Sequence, residues 1–338
     1  MRILFFTGYP GFLGSALLPR VLARNTESTA VCLVQPKFAA LARQRARNLG
    51  DRVHILEGDI TAPIDFSPAD VAEIYHLAAV YDLSVSREAG MRVNVNGTRN
   101  VLDLAGRCTS LERLHYISTC YVSGRHDGVF REDDLDVGQR FNNFYEETKF
   151  LAEVEVQKHI HIPSMIYRPS VVVGDSKTGT TQKYDGPYYA IQWILRQPRI
   201  AVMPVVGRPA KHRFNVVPRD FIIDAIDYLS SHGKAKCYQL ADPAPVTVDE
   251  LLVAMAAATH RKIVRIPLPL AAAKLGAPLL RIPSAAVPYF AQATAYDTTN
   301  AQRDLAGSGI SVPRFSDYAP RLVDFVRTHP DIGAAGMA

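Results

Sequence analysis

Tryptophan occurs once and cysteine four times, and neither Cys-x-x-Cys nor His-x-x-x-His is found anywhere in the 338 residues. Without such spacing no disulfide framework and no zinc site can be read. Cys32, Cys108, Cys120 and Cys237 read instead as reduced, mostly packed side chains of a cytoplasmic protein. Long apolar runs are also missing. The greasiest stretch, "LPLAAAKLGAPLL", is cut by Lys274 and by prolines, short of the ~20 apolar residues that span a bilayer. The opening "MRILFFTGYPGFLG" has neither the basic start nor the small-residue exit of a cleavable signal. A net charge of +5 and a pI near 9.0 come without any lysine/arginine block interleaved with aromatics, which argues against nucleic acid. The nearest such segment, "ARQRARN" (42–48), reads as the solvent face of a helix. The excess positive charge suits a dinucleotide phosphate or a phosphorylated acyl carrier, or nothing specific.

What is present alternates. Short, nearly continuous apolar runs at 2–7, 29–34, 52–57, 73–78, 113–118 and 164–168 read as strands. Helical stretches near 12–24, 37–48, 86–107 and 146–160 lie between them. Strand runs without polar alternation are those of a parallel sheet covered on both faces, so the fold class is α/β. After 170 the rhythm breaks in "VGDSKTGTTQKYDGP". A helix near 188–197, a strand near 213–217, a helix at 219–231 and a strand at 236–240 follow, with a mostly helical remainder. The expected organisation is a dinucleotide-binding core over 1–175, rejoined by 213–240, and a substrate-binding subdomain from 176–212 and 241–330.

The loop "TGYPGFLG" carries Gly8, Gly11 and Gly14 between the first strand and the first helix. Glycines there permit a tight turn, close approach of backbone N–H groups to phosphate, and close helix–strand packing. The helix N-terminus adds unpaired donors and partial positive charge. This placement predicts a dinucleotide, with Phe12 and Leu13 among the loop's contacts. The second strand ends in "LVQPK", giving neutral Gln35 and then Lys37 where an NAD site usually has a carboxylate. NADP is therefore favoured over NAD, with Lys37 or Arg43 meeting the 2′-phosphate; otherwise both are ordinary solvated charges. Asp59 and Ile60 in "EGDI" are placed at the adenine edge. Ala78 and Ala79 leave room for the cofactor, although packing alone also selects alanine.

"YEETK" puts Tyr145 four residues before Lys149, so the two share a helix face. The strand before it ends "ISTCYVSG", placing the Ser118 and Thr119 hydroxyls at the sheet edge where ligands of open α/β sheets bind. A carbonyl there accepts from Thr119 and Tyr145, and a nearby ammonium is expected to lower the phenol's pKa. Lys149 can also hold ribose hydroxyls.

In order, "TGYPGFLG", "GDI", "HLAA", "NVNGT", "ISTCYVSG", "YEETK" and "YRPSVVVG" resemble the motifs of extended short-chain dehydrogenases/reductases over about residues 1–240. The resemblance implies a Rossmann-type, doubly wound parallel sheet with a smaller, mostly helical C-terminal subdomain. It also implies a nicotinamide cofactor, Tyr145 as acid/base and Lys149 as its partner. The motif hydroxyl falls on Thr119, with Ser118 the alternative. Asn94 matches the asparagine supporting the cofactor pocket. Pro169, Ser170 and Val172 match the segment beside the nicotinamide amide. Within this superfamily "GFLGSALL", "RPSVVVGDSKTG", "DGPYYAIQWILR" and "FNVVPRDFIIDAI" look most like the fatty acyl-CoA reductase and thioester reductase branch. That branch often has arginine where this chain has Gln35. No attached adenylation or carrier domain is expected, so a thioester is expected on a separate molecule, CoA or carrier.

Other segments carry two readings each. The Pro-broken run at 262–292 either covers an elongated apolar substrate or packs the subdomain. Tyr184, Tyr188, Tyr189 and Trp193 either line an acyl pocket or form core. Arg208, Lys211, His212 and Arg213 suit a phosphorylated arm or a solvated run, and "REDDLD" (131–136) reads as a solvated loop. The expected activity is reduction of an acyl thioester or aldehyde. The alternatives are an alcohol/ketone dehydrogenase, a sugar-nucleotide epimerase/dehydratase, or a redox-silent dinucleotide sensor. Monomer and homodimer both remain open.

Overall fold

The apolar runs read from the sequence become strands of one parallel sheet in the computed structural model, which describes residues 2–277, 283–291 and 293–333. Within the Pro-broken run, 278–282 and residue 292 lie outside the described residues. In chain order the strands are β1 (Arg2–Thr7), β2 (Ser28–Val34), β3 (Val53–Glu57), β4 (Val71–His76), β5 (Arg113–Ile117), β6 (Gly128–Phe130) and β7 (Ser164–Pro169). They continue as β8 (Val171–Val173), β9 (Ile200–Val206), β10 (Val216–Pro218), β11 (Cys237–Leu240), β12 (Lys262–Leu268) and β13 (Thr294–Tyr296). The main sheet has seven strands in the order β3-β2-β1-β4-β5-β7-β11. Its order reverses between β1 and β4, and an open α/β sheet binds ligands outside the carboxyl ends of its strands at that point.

Alternation along β1 explains the two layers. Leu4 and Phe6 face a core with Leu17, Leu18, Ile222 and Ile226. Phe5 faces the opposite core with Ile74, Leu114, Val101 and Ala152. With both faces covered, β4 is buried at every position, as a central parallel strand requires. A third core, including Val173, Tyr188, Ile191, Met255 and Leu322, lies in the C-terminal half. Tyr184 and Tyr188 belong to it and Tyr189 is buried as well, which favours the core reading for these aromatics.

The structure departs from the sequence reading in three places. The helix expected over 86–107 has three parts: Arg87–Gly90, a π-helical stretch Met91–Asn96, and Gly97–Arg107. The remainder after 240 is not only helical. The β-branched run "KIVRIPL" forms β12, paired in parallel with β9, where the sequence reading had apolar runs broken by prolines in a mostly helical remainder. "REDDLD" is not a wholly solvated loop, because Glu132 is buried and accepts the N–H groups of Gln239, Asn300 and Ala301.

The helix Phe144–Lys158 begins at Asn143, whose side chain accepts from the Glu146 N–H at 3.0 Å. Its interior is tied to the sheet by a fully buried ion pair between Glu153 and Arg168, at 2.5 Å. Ser118 donates to the other Glu153 oxygen at 2.5 Å, and Arg168 also donates to the Glu132 and Asp134 carbonyls at 3.3 and 2.8 Å. Removing one partner of a buried pair strands the other charge, at about 3–5 kcal/mol. Arg168→Met is expected to lose about that much stability in chemical denaturation, and an unchanged midpoint would contradict the role assigned to the pair.

Candidate active site

The glycine loop sits where β1 meets the helix Gly14–Arg24. Gly8 has φ +87°, and a Cβ on it would lie 2.8 Å from the Ala78 nitrogen. Cβ atoms on Gly11 and Gly14 would lie 2.7 and 2.6 Å from the Gly8 carbonyl oxygen. All three positions are therefore closed to side chains, and the bare backbone forms the cradle a pyrophosphate needs. Leu13 precedes the first helical residue, and the Phe12 ring lies 5.1 Å from the Arg219 guanidinium. Across the crevice the Ser170 hydroxyl is buried without a hydrogen-bond partner. A buried hydroxyl left unpaired is costly unless a ligand meets it. Cradle and orphaned hydroxyl both fit a dinucleotide.

At the carboxyl ends of β2 and β3, Gln35 donates to Asp59 Oδ2 at 2.8 Å, and the Thr61 N–H binds Asp59 Oδ1 at 2.9 Å. Ile60 is buried against Gly97, where an added Cβ would lie 2.7 Å from Ile60 Cδ1. Arg43 is not a spare cation, because it pairs with Glu57 at the end of β3. Lys37 is exposed, 5.0 Å from the Phe38 ring centre. Arg45, which the sequence reading passed over, donates to the Pro10 carbonyl at 2.7 Å and reaches the glycine loop itself.

Asn94 joins cofactor wall and helix. Its Oδ1 accepts from the Val80 N–H at 2.9 Å and its Nδ2 donates to Thr148 at 3.0 Å. That fixes the strand-end loop carrying Ala78 and Ala79, with the Ala78 N–H held by Thr7 Oγ1 at 3.1 Å. Asn94 lies in the π-helical turn, a form enriched at functional sites. Val172 belongs to β8, paired with Val217.

Tyr145 and Thr119 are each 5% exposed, and the Thr119 side chain lies close enough to the Tyr145 phenol to oppose the effect of its burial. Thr119 Oγ1 also reaches the Pro169 carbonyl at 3.4 Å. Ser118 is committed to Glu153 on the far side, so Thr119 is the hydroxyl beside the phenol. Lys149 does not bond to Tyr145. Its Nζ donates to Tyr116 OH at 3.1 Å and to the Ile117 carbonyl at 2.8 Å. The expected lowering of the phenol's pKa is accordingly not found here. Burial pushes Tyr145 up, the Thr119 side chain opposes this, and the Glu146 and Asp185 charges add to it. Burial pushes Lys149 down to about 8, against the pull of Glu153.

Residues from distant segments close the site, and nothing local in the sequence marks them. The Tyr81 ring meets Tyr145 edge-on at 5.0 Å. Lys183 lies 3.5 Å from the Tyr81 ring centre and pairs with Asp185 at 2.6 Å. Tyr289 donates to Glu146 at 2.5 Å and accepts from Asn143 at 2.8 Å, linking the C-terminal half to the start of the Tyr145 helix. An open groove of about 710 Å³ runs past Leu83, Phe141 and Phe144, next to Tyr145 in the chain. Arg213 donates to the Pro245 carbonyl at 2.8 Å. Among the described residues no group of three or more His, Cys, Asp or Glu is placed to hold a metal, and no helix is long and apolar enough to cross a membrane.

A parallel sheet with a glycine cradle at its switch point, and Tyr145 and Lys149 on the helix beside it, is the arrangement of an NAD(P)-binding protein of the extended short-chain dehydrogenase/reductase class. The chain belongs to the male sterility protein family of NAD-binding proteins, matching it over residues 6–226. It is 27% identical over 260 residues to a non-canonical nonribosomal peptide synthetase of Aspergillus campestris, covering 67% of this chain and 24% of that protein. The chain thus spans a small part of the curated relatives it matches. The terminal R domain from the myxalamid PKS-NRPS biosynthetic pathway superposes with a TM-score of 0.80 at 24% identity, covering 98% of this chain and 91% of that one. UDP-glucuronic acid 4-epimerase from Bacillus cereus, solved in complex with NAD, gives 0.68 at 18% identity, with 97% of each chain covered. At these identities the two structures share the fold with this chain.

Gly11→Ala drives a methyl into the Gly8 carbonyl and is expected to weaken dinucleotide binding by ~tenfold or more, ~1.4 kcal/mol. Titration of the folded variant by calorimetry would check this, and affinity equal to wild type would remove the cradle from the site.

Proposed function

We propose that this protein uses NADPH to reduce the carbonyl of an acyl thioester or aldehyde with an apolar chain. The observation carrying this reading is the Thr119 side chain beside the buried Tyr145 phenol, with Lys149 one turn along the same helix and the glycine loop at the carboxyl end of the same sheet. The bound dinucleotide supplies a hydride to the carbonyl carbon. Tyr145, kept protonated by burial, gives its proton to the carbonyl oxygen while Thr119 steadies the phenol and that oxygen. Lys149 contributes positive charge and donors for the ribose hydroxyls. With a thioester the resulting hemithioacetal loses its C–S bond, which restores a carbonyl as aldehyde and releases thiol. Gly8, Gly11, Phe12, Leu13 and Gly14 hold the pyrophosphate; Asp59 and Ile60 meet the adenine; Ala78, Ala79 and Asn94 form the wall. Pro169, Ser170 and Val172 flank the amide, with the Ser170 hydroxyl as its free partner.

NADPH is preferred in this reading because β2 ends in Gln35 rather than a carboxylate and Lys37 is exposed beside it. Lys37 and Arg43, the latter paired with Glu57 in this structure, are the two cations this reading offers to a 2′-phosphate. The substrate arrives on CoA or a carrier protein, a reading supported by the kinship with a nonribosomal peptide synthetase. Residues 176–212 and 241–330 form its binding subdomain. The unpaired state of all four cysteines agrees with a cytoplasmic setting. Nucleic acid is no partner in this reading, and the protein acts as a monomer or homodimer.

Tyr145→Phe is expected to lower turnover by ~10²-fold or more while cofactor affinity stays near wild type, measured as NADPH oxidation with acyl-CoA, aldehyde and ketone substrates. Full activity in the variant would exclude Tyr145 as the acid. Turnover confined to ketones, or a co-purified dinucleotide that never exchanges, would move the protein to a dehydrogenase or an epimerase. Lys149 is charged below pH about 8 and neutral above it. The kcat/KM for NADPH should therefore be level below that pH and fall above it. A profile flat to pH 10 would show that the ammonium is not needed.

A further inference from the structure

The sheet register lines up three polar side chains at the carboxyl end of one face. Thr7 on β1 is opposite His76 on β4, and His76 is opposite Tyr116 on β5. In-register residues of neighbouring parallel strands project to the same face. That face is the one covered by Val101, Leu104, Ala152 and Val156 of the helices Gly97–Arg107 and Phe144–Lys158. Thr7 Oγ1 lies 2.7 Å from His76 Nδ1, and Thr98 Oγ1 lies 3.0 Å from His76 Nε2. Thr98 donates to the Asn94 carbonyl at 2.6 Å, so it accepts from Nε2–H. In the neutral imidazole that leaves Nδ1 bare to accept from the Thr7 hydroxyl, whose oxygen also accepts from the Ala78 N–H. Burial and the Lys149 charge push His76 down to about 3, which leaves the row without a second positive charge.

The row ends at Lys149. Its ammonium is 3% exposed, and the two oxygens that replace water are the Tyr116 phenol at 3.1 Å and the Ile117 carbonyl at 2.8 Å. The other groups facing it are Glu153 on its own helix, the neutral His76 from β4, and Tyr145 one turn earlier. Burial keeps the Tyr116 phenol protonated, so it acts on Lys149 as an uncharged acceptor. Its ring packs at 5.6 Å from the His76 ring and 4.6 Å from Lys149 Nζ. Phenylalanine would keep that packing and the ring face near the ammonium; what it would remove is the oxygen that accepts from Nζ.

We propose that Tyr116 is a positioning residue for Lys149, its phenol oxygen and the Ile117 carbonyl together setting where the ammonium points beneath Tyr145 and the cofactor ribose. This rests on the reductase reading above. Tyr116→Phe retains the ring and removes the acceptor, leaving the charged form with one carbonyl in a dry site. The lysine then loses its proton at lower pH and its aim loosens.

The test compares wild type and Tyr116→Phe by two independent readouts. In protein labelled with side-chain ¹⁵N-lysine, with Lys149→Arg used for assignment, the Lys149 titration is expected to move down on the order of one pH unit in Tyr116→Phe. In NADPH-dependent aldehyde reduction, kcat is expected to fall on the order of tenfold with the aldehyde KM unchanged, and the alkaline limb to move the same way as the lysine. Site-specific 3-fluorotyrosine at 116 weakens the acceptor at nearly constant volume, so a smaller shift in the same direction is expected even if the phenylalanine variant does not fold. Unshifted lysine titration in either folded variant overturns the proposal, as does a wild-type kcat and pH limb. A wild-type protein that reduces no carbonyl sinks the reductase reading instead, while the titration still decides whether Tyr116 anchors the lysine.

Discussion

The Glu153–Arg168 ion pair is the constraint on which the site depends. It is completely buried, and removing two charges from water is repaid only when every remaining lone pair and proton is used. Here they are used, by Ser118, by loop carbonyls at 131–134 and by the guanidinium itself. The pair fixes the helix carrying Tyr145 and Lys149 against β5 and β7 and places a negative charge one turn below Lys149. A lysine buried this deeply would otherwise shed its proton well below neutrality. The ion pair therefore acts twice, as a fastener of the helix and as the counter-charge that keeps an ammonium available.

Much of the fold was legible because its signals are local. Strand runs without polar alternation, glycines at a fixed spacing after the first strand, and Tyr-x-x-x-Lys on a helix need no tertiary information. What could not be read is set by distance in the chain. Lys149 bonds to Tyr116, and nothing local says that an ammonium will choose a neighbouring strand over the tyrosine on its own helix face. Arg43 looks free until β3 brings Glu57 to it. Glu132 sits in an acidic run that resembles a solvated loop, yet β11 and the helix Thr299–Leu305 converge on its carboxylate. Burial then outweighs the hydrogen bonds and pushes it up to about 7. The β9–β12 ribbon was missed because prolines in "KIVRIPLPL" masked a strand whose only partner lies some sixty residues earlier.

The ends of β2 and β3 show how a site can be built from partners rather than from a single residue. Gln35 is turned to Asp59, so the amide at the end of β2 ties that strand to the loop after β3. Glu57 occupies Arg43, and Arg45 braces the glycine loop.

The Tyr289 hydroxyl, seated between Asn143 and Glu146, joins two tasks that many enzymes keep apart. Tyr289 also stands beside Tyr121, at 4.7 Å between rings, and lines a small recess with Phe214, Asn215 and Tyr296. A substitution that enlarges this recess removes a brace from the first turn of the helix bearing Tyr145. Under the reductase reading, opening this recess for a bulkier substrate would therefore loosen the start of the helix that Asn143 and Glu146 hold.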